Sequence, residues 1–277
     1  KIPTDTHLVV LDEIHKYRLW RTIVKGYFDK YFPTSNILVT GSARLDHFRK
    51  GGDSLGGRYH YWRLHPFTLS EIPKGMSPSE AFKRLMVVGG FPEPFFDNDE
   101  TQARRRRRER TDRVLKDDLR DLENVSNIQL LSLLTDRLKE RVGSFCVMAN
   151  LAGDLHISPV TAKRWVELLE RMYLIFAVRP LTKNIARAIQ KPPKIYFFDN
   201  ADVLDTEGAR FENLVATHLL KKIHFLQDRD GYRYELCYVR DKEEREVDFV
   251  ILKDGTVMEL YEAKFSDDKP SRSLSYY

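Results

Sequence analysis

Two acidic residues and a lysine interrupt an apolar hairpin near the end of the sequence. Asp248 lies in the run EVDFVIL, and Glu262 and Lys264 follow the run TVMELY after a Lys-Asp-Gly turn. Two carboxylates are suitable ligands for one Mg²⁺ ion, and a lysine beside them can stabilise an attacking water or a pentavalent phosphate. The D…E-x-K spacing therefore predicts a metal site for phosphate chemistry in this hairpin.

The register of the hairpin decides whether Asp248 and Glu262 can share an ion, because side chains alternate between the two faces of a strand. A two-residue turn would put Asp248 on the opposite face from Glu262. A three-residue turn, Lys253–Gly255, would pair Asp248 with Leu260 and place it diagonal to Glu262, with about 7–8 Å between backbones. We therefore predict the three-residue turn, or a bulge with the same effect.

A second group of polar residues follows two apolar runs near the start of the sequence. The run HLVVL ends in Asp12 and Glu13, and the run NILV ends in Thr40 and Ser42, with a helical pattern over Lys16–Phe32 between them. Both runs predict buried strands of a parallel sheet, whose carboxyl ends form a ligand-binding crevice. In this Walker B arrangement Asp12 would face Mg²⁺, Glu13 would polarise an attacking water, and Thr40 and Ser42 would contact the γ-phosphate.

The composition is that of a folded soluble protein. The 277 residues include 42% hydrophobic and 31% charged residues and carry a formal net charge of +5. No apolar run approaches the roughly 20 residues that a membrane helix needs. The two distant cysteines, Cys146 and Cys237, exclude a disulfide framework and a Cys-based metal site. We therefore expect a cytoplasmic protein with no membrane partner.

These motifs, in this order, resemble the AAA-type ATPases of bacteria and archaea that carry a restriction-endonuclease-like C-terminal half. The resemblance covers nearly the whole chain and rests on the segments LVVLDEIHK, ILVTGSAR, LGGRYHYWRLHPFTLSEI, GGFPEPF, GARFENLVATHLL and REVDFVI…YEAK. It implies an arginine finger at Arg58, with Arg63 as the second choice, and it adds Glu212 to the acids of the nuclease-like site. The alternative for Arg58 is a surface arginine that anchors a loop. The alternative for the acidic site is that the family retained this fold only to bind DNA or protein, without catalysis.

One element of the resemblance is missing from the sequence. The family requires a phosphate loop, G-x-x-x-x-G-K-[ST], before the Walker B strand. None of the 14 glycines is followed by Lys, and the sequence begins with Lys1. We expect either a truncated protein or a family member without ATPase activity, and we favour truncation. ATP binding is then expected to need the missing N-terminal region, and the chain alone is predicted not to hydrolyse ATP.

The middle of the chain predicts a DNA-binding layout. The stretch Val147–Val178 predicts a helix, a short turn, a second helix that begins at Ser158-Pro159, and a strand. This is the order of a winged helix-turn-helix, in agreement with the resemblance. Glu167 and Glu170 would repel phosphates, so a role as a rigid spacer stays open. In a DNA complex the second helix would present Thr161, Lys163, Arg164 and Arg171.

Residues 101–122 form the most basic stretch of the chain. They contain nine Arg or Lys and five Asp or Glu, a local excess of four positive charges. Such a stretch can contact phosphates. The alternative, which we favour, is a solvated helix face with ion pairs between residues four positions apart.

Together these features predict an α/β protein with four segments. They are a partial AAA-type parallel-sheet core (1–75), a helical lid or linker (76–126), a winged helix (127–191) and a restriction-endonuclease-like α/β domain (192–277), with the last boundary at Pro192-Pro193. The predicted function is an AAA-type ATPase coupled to a DNA-interacting winged helix and a Mg²⁺-dependent nuclease-like domain. The alternative is a nucleotide-switched, non-catalytic regulator that binds DNA or protein. Expected cofactors are ATP and Mg²⁺, and expected partners are DNA, a second copy of the chain, or a protein partner of the toxin–antitoxin type.

Overall fold

The chain separates into two compact units, one ending at Tyr61 and the other beginning at Trp62. The structure is a computed structural model that describes residues 8–17, 19–32, 35–41, 55–115, 127–181, 191–204, 206–266 and 269–277. In the described part of the chain, no helix is both long enough and apolar enough to cross a membrane.

A parallel pair of short strands forms the centre of the first unit. Strand β1 (Leu8–Leu11) pairs with β2 (Asn36–Val39), and helix α1 (Trp20–Tyr31) lies between them in the chain. A short 3₁₀ turn, Ile14–Lys16, precedes α1. The predicted strand–helix–strand order is therefore confirmed.

The two strands are less buried than predicted. Leu11 and Val39 pack against the cluster built on α1, whereas Leu8 and Val10 are each 55% exposed. A parallel strand is buried on both sides only when both faces of its sheet are covered. Within the described residues of this unit α1 covers one face, so the expectation of fully buried strands is wrong.

Helices occupy the first half of the second unit. They are α2 (Pro78–Val87), α3 (Pro92–Asp97), α4 (Glu100–Arg113), α5 (Ile128–Lys139), α6 (Met148–Leu155) and α7 (Pro159–Arg171). Ser77 and Ser158 cap α2 and α7, since each hydroxyl accepts a hydrogen bond from an amide of the first turn and a proline follows it. The predicted start of the second helix of the Val147–Val178 stretch at Ser158-Pro159 is confirmed.

A mixed five-stranded sheet forms the second half. Its order is β4-β3-β5-β6-β7, in which β3 runs parallel to β5 and all other pairs are antiparallel. The strands are β3 (Ile175–Pro180), β4 (Lys194–Phe197), β5 (Tyr234–Arg240), β6 (Glu246–Lys253) and β7 (Thr256–Tyr261). Strands from both sides of Pro192-Pro193 therefore belong to one sheet. This mixed architecture agrees with the predicted α/β class.

Two further helices accompany the sheet. The long helix α8 (Glu207–Asp230) begins at the Thr206 cap and ends at Gly231, whose φ of 76° suits glycine. Helix α9 (Arg272–Tyr276) follows the last strand. The apolar stripe of α7 is buried, with Trp165, Leu168, Leu169 and Met172 each less than a tenth exposed.

A buried asparagine joins α8 to the edge strand β4. Asn213 accepts a hydrogen bond from the Phe197 amide at 2.8 Å and donates to the Phe197 carbonyl at 3.1 Å and to Asn200 at 3.0 Å. An edge strand otherwise leaves such backbone groups without partners. Asn213 therefore satisfies the last residue of β4, while the Gly143 amide donates to the Ile195 carbonyl at 3.1 Å on the same edge.

The segment Trp62–Ile72 lies along α8. The Arg63 guanidinium contacts the Asp228 carboxylate at 2.6 Å, and the Leu69 amide donates to His218 Nε2 at 2.9 Å. These contacts attach this segment, which includes a 3₁₀ turn at Leu69–Glu71, to the longest described helix.

Candidate functional site

The carboxyl ends of β1 and β2 bring Asp12 and Thr40 together. The Thr40 amide donates to the Leu11 carbonyl and the Glu13 amide donates to the Thr40 carbonyl, each at 3.0 Å. These bonds extend the parallel pairing beyond the strands, and the Thr40 hydroxyl donates to the Asp12 carboxylate. Asp12 is exposed and Thr40 is half-buried. An oxygen-rich pair therefore lies at the sheet edge where the sequence predicts it.

Glu13 leaves the strand in an unusual backbone conformation. Its φ of 50° is left-handed, and its carboxylate lies 3.1 Å from the Lys16 ammonium. Ser42, the other residue predicted to contact phosphate, lies outside the described residues.

The two candidate arginine fingers have different surroundings. Arg58 Nε lies 3.4 Å from a carboxylate oxygen of Asp29, and both side chains are substantially exposed. Arg63 belongs to the second unit, where its pair with Asp228 leaves it 18% exposed. The ion pair with Asp228 therefore holds Arg63 against α8. The exposed ion pair of Arg58 with Asp29 is of the kind expected for a surface arginine that anchors a loop.

The β6–β7 hairpin has a two-residue turn and a bulge. The turn is Asp254–Gly255, with φ of 48° and 81°, as a type I′ turn requires, so the predicted three-residue turn is wrong. A register shift then pairs Phe249 with Tyr261. The predicted alternative of a bulge is therefore confirmed, and β7 ends at Tyr261, one residue before Glu262.

Asp248 contacts the E-x-K segment through the backbone. Its Oδ2 accepts a hydrogen bond at 3.0 Å from the amide of Ala263, the residue between Glu262 and Lys264. The Glu262 carboxylate accepts a hydrogen bond from the Ser271 amide at 3.0 Å. The structure therefore brings the predicted motif together, but the Glu262 side chain binds a neighbouring backbone group.

Lys264 also binds the backbone near the end of the chain. Its Nζ donates to the Lys269 carbonyl at 2.9 Å and lies 3.8 Å from Glu262 Oε1. The pair keeps the predicted proximity of lysine and glutamate.

Lys194 is the centre of a buried ion cluster that the sequence did not predict. This first residue of β4 is 4% exposed. Its Nζ lies 2.6 Å from Glu246 Oε1, 3.3 Å from Asp248 Oδ1 and 3.6 Å from Glu212 Oε1. Two of the predicted site acids, Asp248 and Glu212, therefore converge on a lysine ammonium.

The excess of carboxylates controls the protonation of this cluster. Burial disfavours the ammonium, but Glu212, Asp248 and Glu246 outweigh it and raise the pKa of Lys194. Burial raises the pKa of Glu212, with Lys194 opposing and Asp248 adding to the effect. The surrounding carboxylates therefore explain the direction for Lys194, whereas burial first and Asp248 second explain the direction for Glu212. Lys194 is therefore charged at neutral pH.

The residues predicted to contact DNA lie on α7. Lys163, Arg164 and Arg171 are exposed, while Thr161 is half-buried. Glu167 lies 4.0 Å from the Lys163 ammonium, and Glu170 is bound by the Arg179 guanidinium at 3.0 Å. Arg179 offsets the negative charge of Glu170, so the repulsion predicted for this helix is reduced.

The arginine-rich helix α4 has a structural side and an exposed side. The Arg110 guanidinium bonds to Asp199 at 2.8 Å and to Asp202 at 2.7 Å, and both acids are almost fully buried. Arg107 donates to the carbonyl of Ala201. This side of the helix is therefore structural, whereas its exposed side has a predicted ion pair between residues four positions apart, Arg105 and Glu109 at 3.1 Å. The exposed arginines of the run are Arg104, Arg105 and Arg108.

Three protein families match consecutive parts of the chain. Residues 1–73 match an AAA domain, residues 79–203 match a domain of unknown function (DUF8612), and residues 207–277 match a second domain of unknown function (DUF4143). Each match covers less than half of the chain. The first and last matches support an AAA-type ATPase-like family. The AAA match suggests an ATPase-like function and, in general terms, binding of nucleotide and Mg²⁺.

Two curated relatives are similar over the larger part of the chain. They are the uncharacterized proteins Mb2031c of Mycobacterium bovis and Rv2008c of Mycobacterium tuberculosis, each 24% identical over 192 residues. These residues are 69% of this chain and 42% of each relative, so the aligned part spans less than half the length of the relatives. No solved structure matched the chain significantly.

Proposed function

We propose that this chain carries the Mg²⁺-contacting and γ-phosphate-contacting part of an AAA-type nucleotide site at the ends of β1 and β2. The observation that supports this most directly is the hydrogen bond from the Thr40 hydroxyl to the Asp12 carboxylate across two parallel strands. A carboxylate and a hydroxyl are oxygen ligands of the kind that Mg²⁺ prefers. Their position at the carboxyl edge of parallel strands is where α/β sheets bind ligands.

Each residue of this site has a proposed role. Asp12 would hold Mg²⁺, with Thr40 orienting its carboxylate, and Ser42 would join Thr40 in contacting the γ-phosphate. A bound Mg²⁺ ion neutralises charge that develops on the phosphate oxygens. Glu13 would polarise the attacking water, and Arg58 would leave Asp29 to stabilise the transferred phosphoryl group.

The decisive test uses the full-length natural protein. We expect Glu13→Gln to bind ATP as the parent does and to hydrolyse it roughly 10²–10⁴-fold more slowly, which is the usual contribution of a general base. Glu140→Gln, an exposed glutamate at the end of α5, is the matched control and should keep the parental rate. Equal rates for Glu13→Gln and the parent would remove Glu13 from the mechanism.

The 277-residue chain gives a second test. No glycine is followed by Lys in this sequence, so the chain contains no phosphate-loop lysine to hold the β- and γ-phosphates. We expect the purified chain to show no measurable ATP turnover. Robust turnover that is lost on Asp12→Ala would mean that the nucleotide site is misassigned.

The second unit is proposed to couple the nucleotide site to a DNA or protein partner. The exposed Lys163, Arg164 and Arg171 on α7 favour DNA contact through a winged helix-turn-helix. Binding of duplex DNA should therefore weaken on Lys163→Ala and Arg164→Ala together, while Lys242→Ala, in the loop before β6, serves as a control. If the double variant and the control bind duplex DNA with equal affinity, α7 does not contact DNA and serves as a rigid spacer.

Two roles compete for the acidic site of the same unit. Metal-dependent DNA cleavage would use Asp248, Glu262 and Lys264, whereas a non-catalytic fold would serve only to bind a partner. The Lys194 ammonium beside Asp248 favours the non-catalytic role. We expect no DNA cleavage with Mg²⁺ or Mn²⁺, and cleavage that is lost on Asp248→Ala would establish the nuclease.

A further inference from the structure

A buried ammonium lies among the acids at the expected metal site. Lys194 Nζ is within 3.6 Å of carboxylate oxygens from three residues, Glu246 and Asp248 on β6 and Glu212 on α8. The rings of Phe145 and Tyr238 lie 5.9 and 6.0 Å from the same nitrogen. The cluster therefore already contains a cation that is enclosed by acids and aromatic rings.

Each of the three carboxylates also has a second partner. Glu246 lies 3.7 Å from the Arg240 guanidinium. Asp248 accepts a hydrogen bond from the Ala263 amide at 3.0 Å, and Glu212 accepts one from the Tyr196 hydroxyl at 2.6 Å. Buried carboxylates are stable when hydrogen bonds satisfy their oxygens, and these partners together with Lys194 provide them.

A divalent cation does not fit beside Lys194. Mg²⁺ and Mn²⁺ sites need carboxylate oxygens at about 2.0–2.2 Å. One oxygen of each acid in this cluster already faces Nζ. Two cations so close together repel strongly in a buried site. A Cβ atom on Gly143 would lie 2.8 Å from Glu212 Oε1, so the backbone limits room on that side of Glu212. Among the described residues, no group of three or more His, Cys, Asp or Glu side chains is arranged to hold a metal ion.

We propose that the Lys194 ammonium takes the place of a divalent cation in this carboxylate cluster. The cluster then joins β4, β6 and α8 through internal ion pairs and needs no metal for its structure. Of the two acids that the D…E-x-K pattern predicts as metal ligands, Asp248 is in this chain a ligand of a lysine, and Glu262 binds the Ser271 amide. This proposal concerns the second unit alone and does not depend on nucleotide binding by the first.

Mn²⁺ binding to the whole 277-residue chain, measured by electron paramagnetic resonance of the free ion, tests the proposal. Every protein in the series carries Asp12→Asn, so that Mn²⁺ bound at the ends of β1 and β2 does not contribute. Lys194→Met removes the ammonium and keeps an unbranched side chain of similar length. We expect this variant to gain a Mn²⁺ site at least roughly tenfold tighter than any in the parent, because the acids lose their cation. Adding Asp248→Asn should abolish the gained site.

Two results would overturn the proposal. One is a parent chain that binds Mn²⁺ at a site lost on Asp248→Asn, since the metal would then bind despite the ammonium. The other is a folded Lys194→Met variant, confirmed by circular dichroism, with no gained site. If Lys194→Met does not fold, the comparison of the parent with Asp248→Asn decides, and the absence of an Asp248-dependent site supports the proposal. ATP binding by the full-length protein is measured separately, so failure of the proposed nucleotide site is distinguishable from failure here.

Discussion

A pair of neutral histidines should make the second unit sensitive to acid. His65 Nε2 and His224 Nδ1 lie 2.9 Å apart, so the N–H of one ring donates a hydrogen bond to the nitrogen of the other. Burial, followed by Lys221 and Arg63, lowers the pKa of His65 to about 4. Burial, followed by Arg63 and His65, lowers the pKa of His224 to about 2. This hydrogen bond attaches the segment Trp62–Ile72 to α8. If the accepting nitrogen were also protonated, two N–H groups would face each other and the hydrogen bond would be lost.

The sign and size of the effect follow from proton linkage. An unfolded histidine has a pKa of about 6.5, so between that value and the lower folded pKa the unfolded chain binds more protons. The stability from the neutral pair is therefore fully present above about pH 6.5 and is lost as the pH falls toward 4. At pH 5.5 the loss reaches roughly 1.4 kcal/mol per histidine if the rings are shielded from water. Both rings are partly exposed, so we expect about 1–2 kcal/mol for the pair.

Urea unfolding followed by circular dichroism at pH 7.5 and 5.5 measures this loss. Other groups of the protein also contribute to the pH dependence of stability. The measurement therefore compares the change in unfolding free energy between pH 7.5 and 5.5 in the parent with that in each variant. The double variant His65→Gln/His224→Gln should lose about 1–2 kcal/mol less than the parent on acidification. His60→Gln replaces an exposed histidine of the first unit and should behave as the parent does. An identical acid sensitivity in the double variant and the parent would refute the assignment.

Three further predictions concern side chains of the second unit. Arg110→Ala should lower the free energy of unfolding by roughly 3–5 kcal/mol in urea titrations, because two buried carboxylates lose their closest cation, while Arg105→Ala should change it by less than about 0.5 kcal/mol. Replacing the exposed Arg104, Arg105 and Arg108 together should reduce the slope of log K against log salt concentration for any DNA binding by roughly 2–3 units. An unchanged slope would show that this face of α4 is solvated and does not contact DNA. Asn213→Leu should cost about 2–4 kcal/mol of unfolding free energy, since it leaves two backbone groups of β4 without partners, and a stability equal to that of the parent would show that water replaces the amide.

Local rules predicted much of the secondary structure. Ser158 followed by proline marks the start of α7, and the spacing of Trp165, Leu169 and Met172 marks its buried face. These features depend on neighbours within a few residues, which the sequence displays directly. The degree of burial of β1 did not follow in the same way, because it depends on what covers each face of the sheet.

The hairpin shows where local rules were sufficient and where they failed. The Asp-Gly pair favours a type I′ turn, and that preference prevailed over the three-residue turn that we inferred from the proposed chemistry. The bulge between β6 and β7 has no strong signature in the sequence. It depends on how β7 pairs along its whole length with β6.

The sequence by itself determined the positions of the acids, the caps and the strand ends, because each depends on residue type and short-range spacing. It placed Asp12 and Thr40 after two strands that pair in parallel, and it identified Asp248 as an acid of a site to which the family resemblance added Glu212. Only the tertiary structure decided what those two acids bind. Lys194 is 54 residues from Asp248 in the chain, and nothing in a strand that begins with lysine indicates that its side chain turns inward. Its charge is tolerated there because three carboxylates from distant elements surround it, and such long-range compensation exists only once the chain is folded.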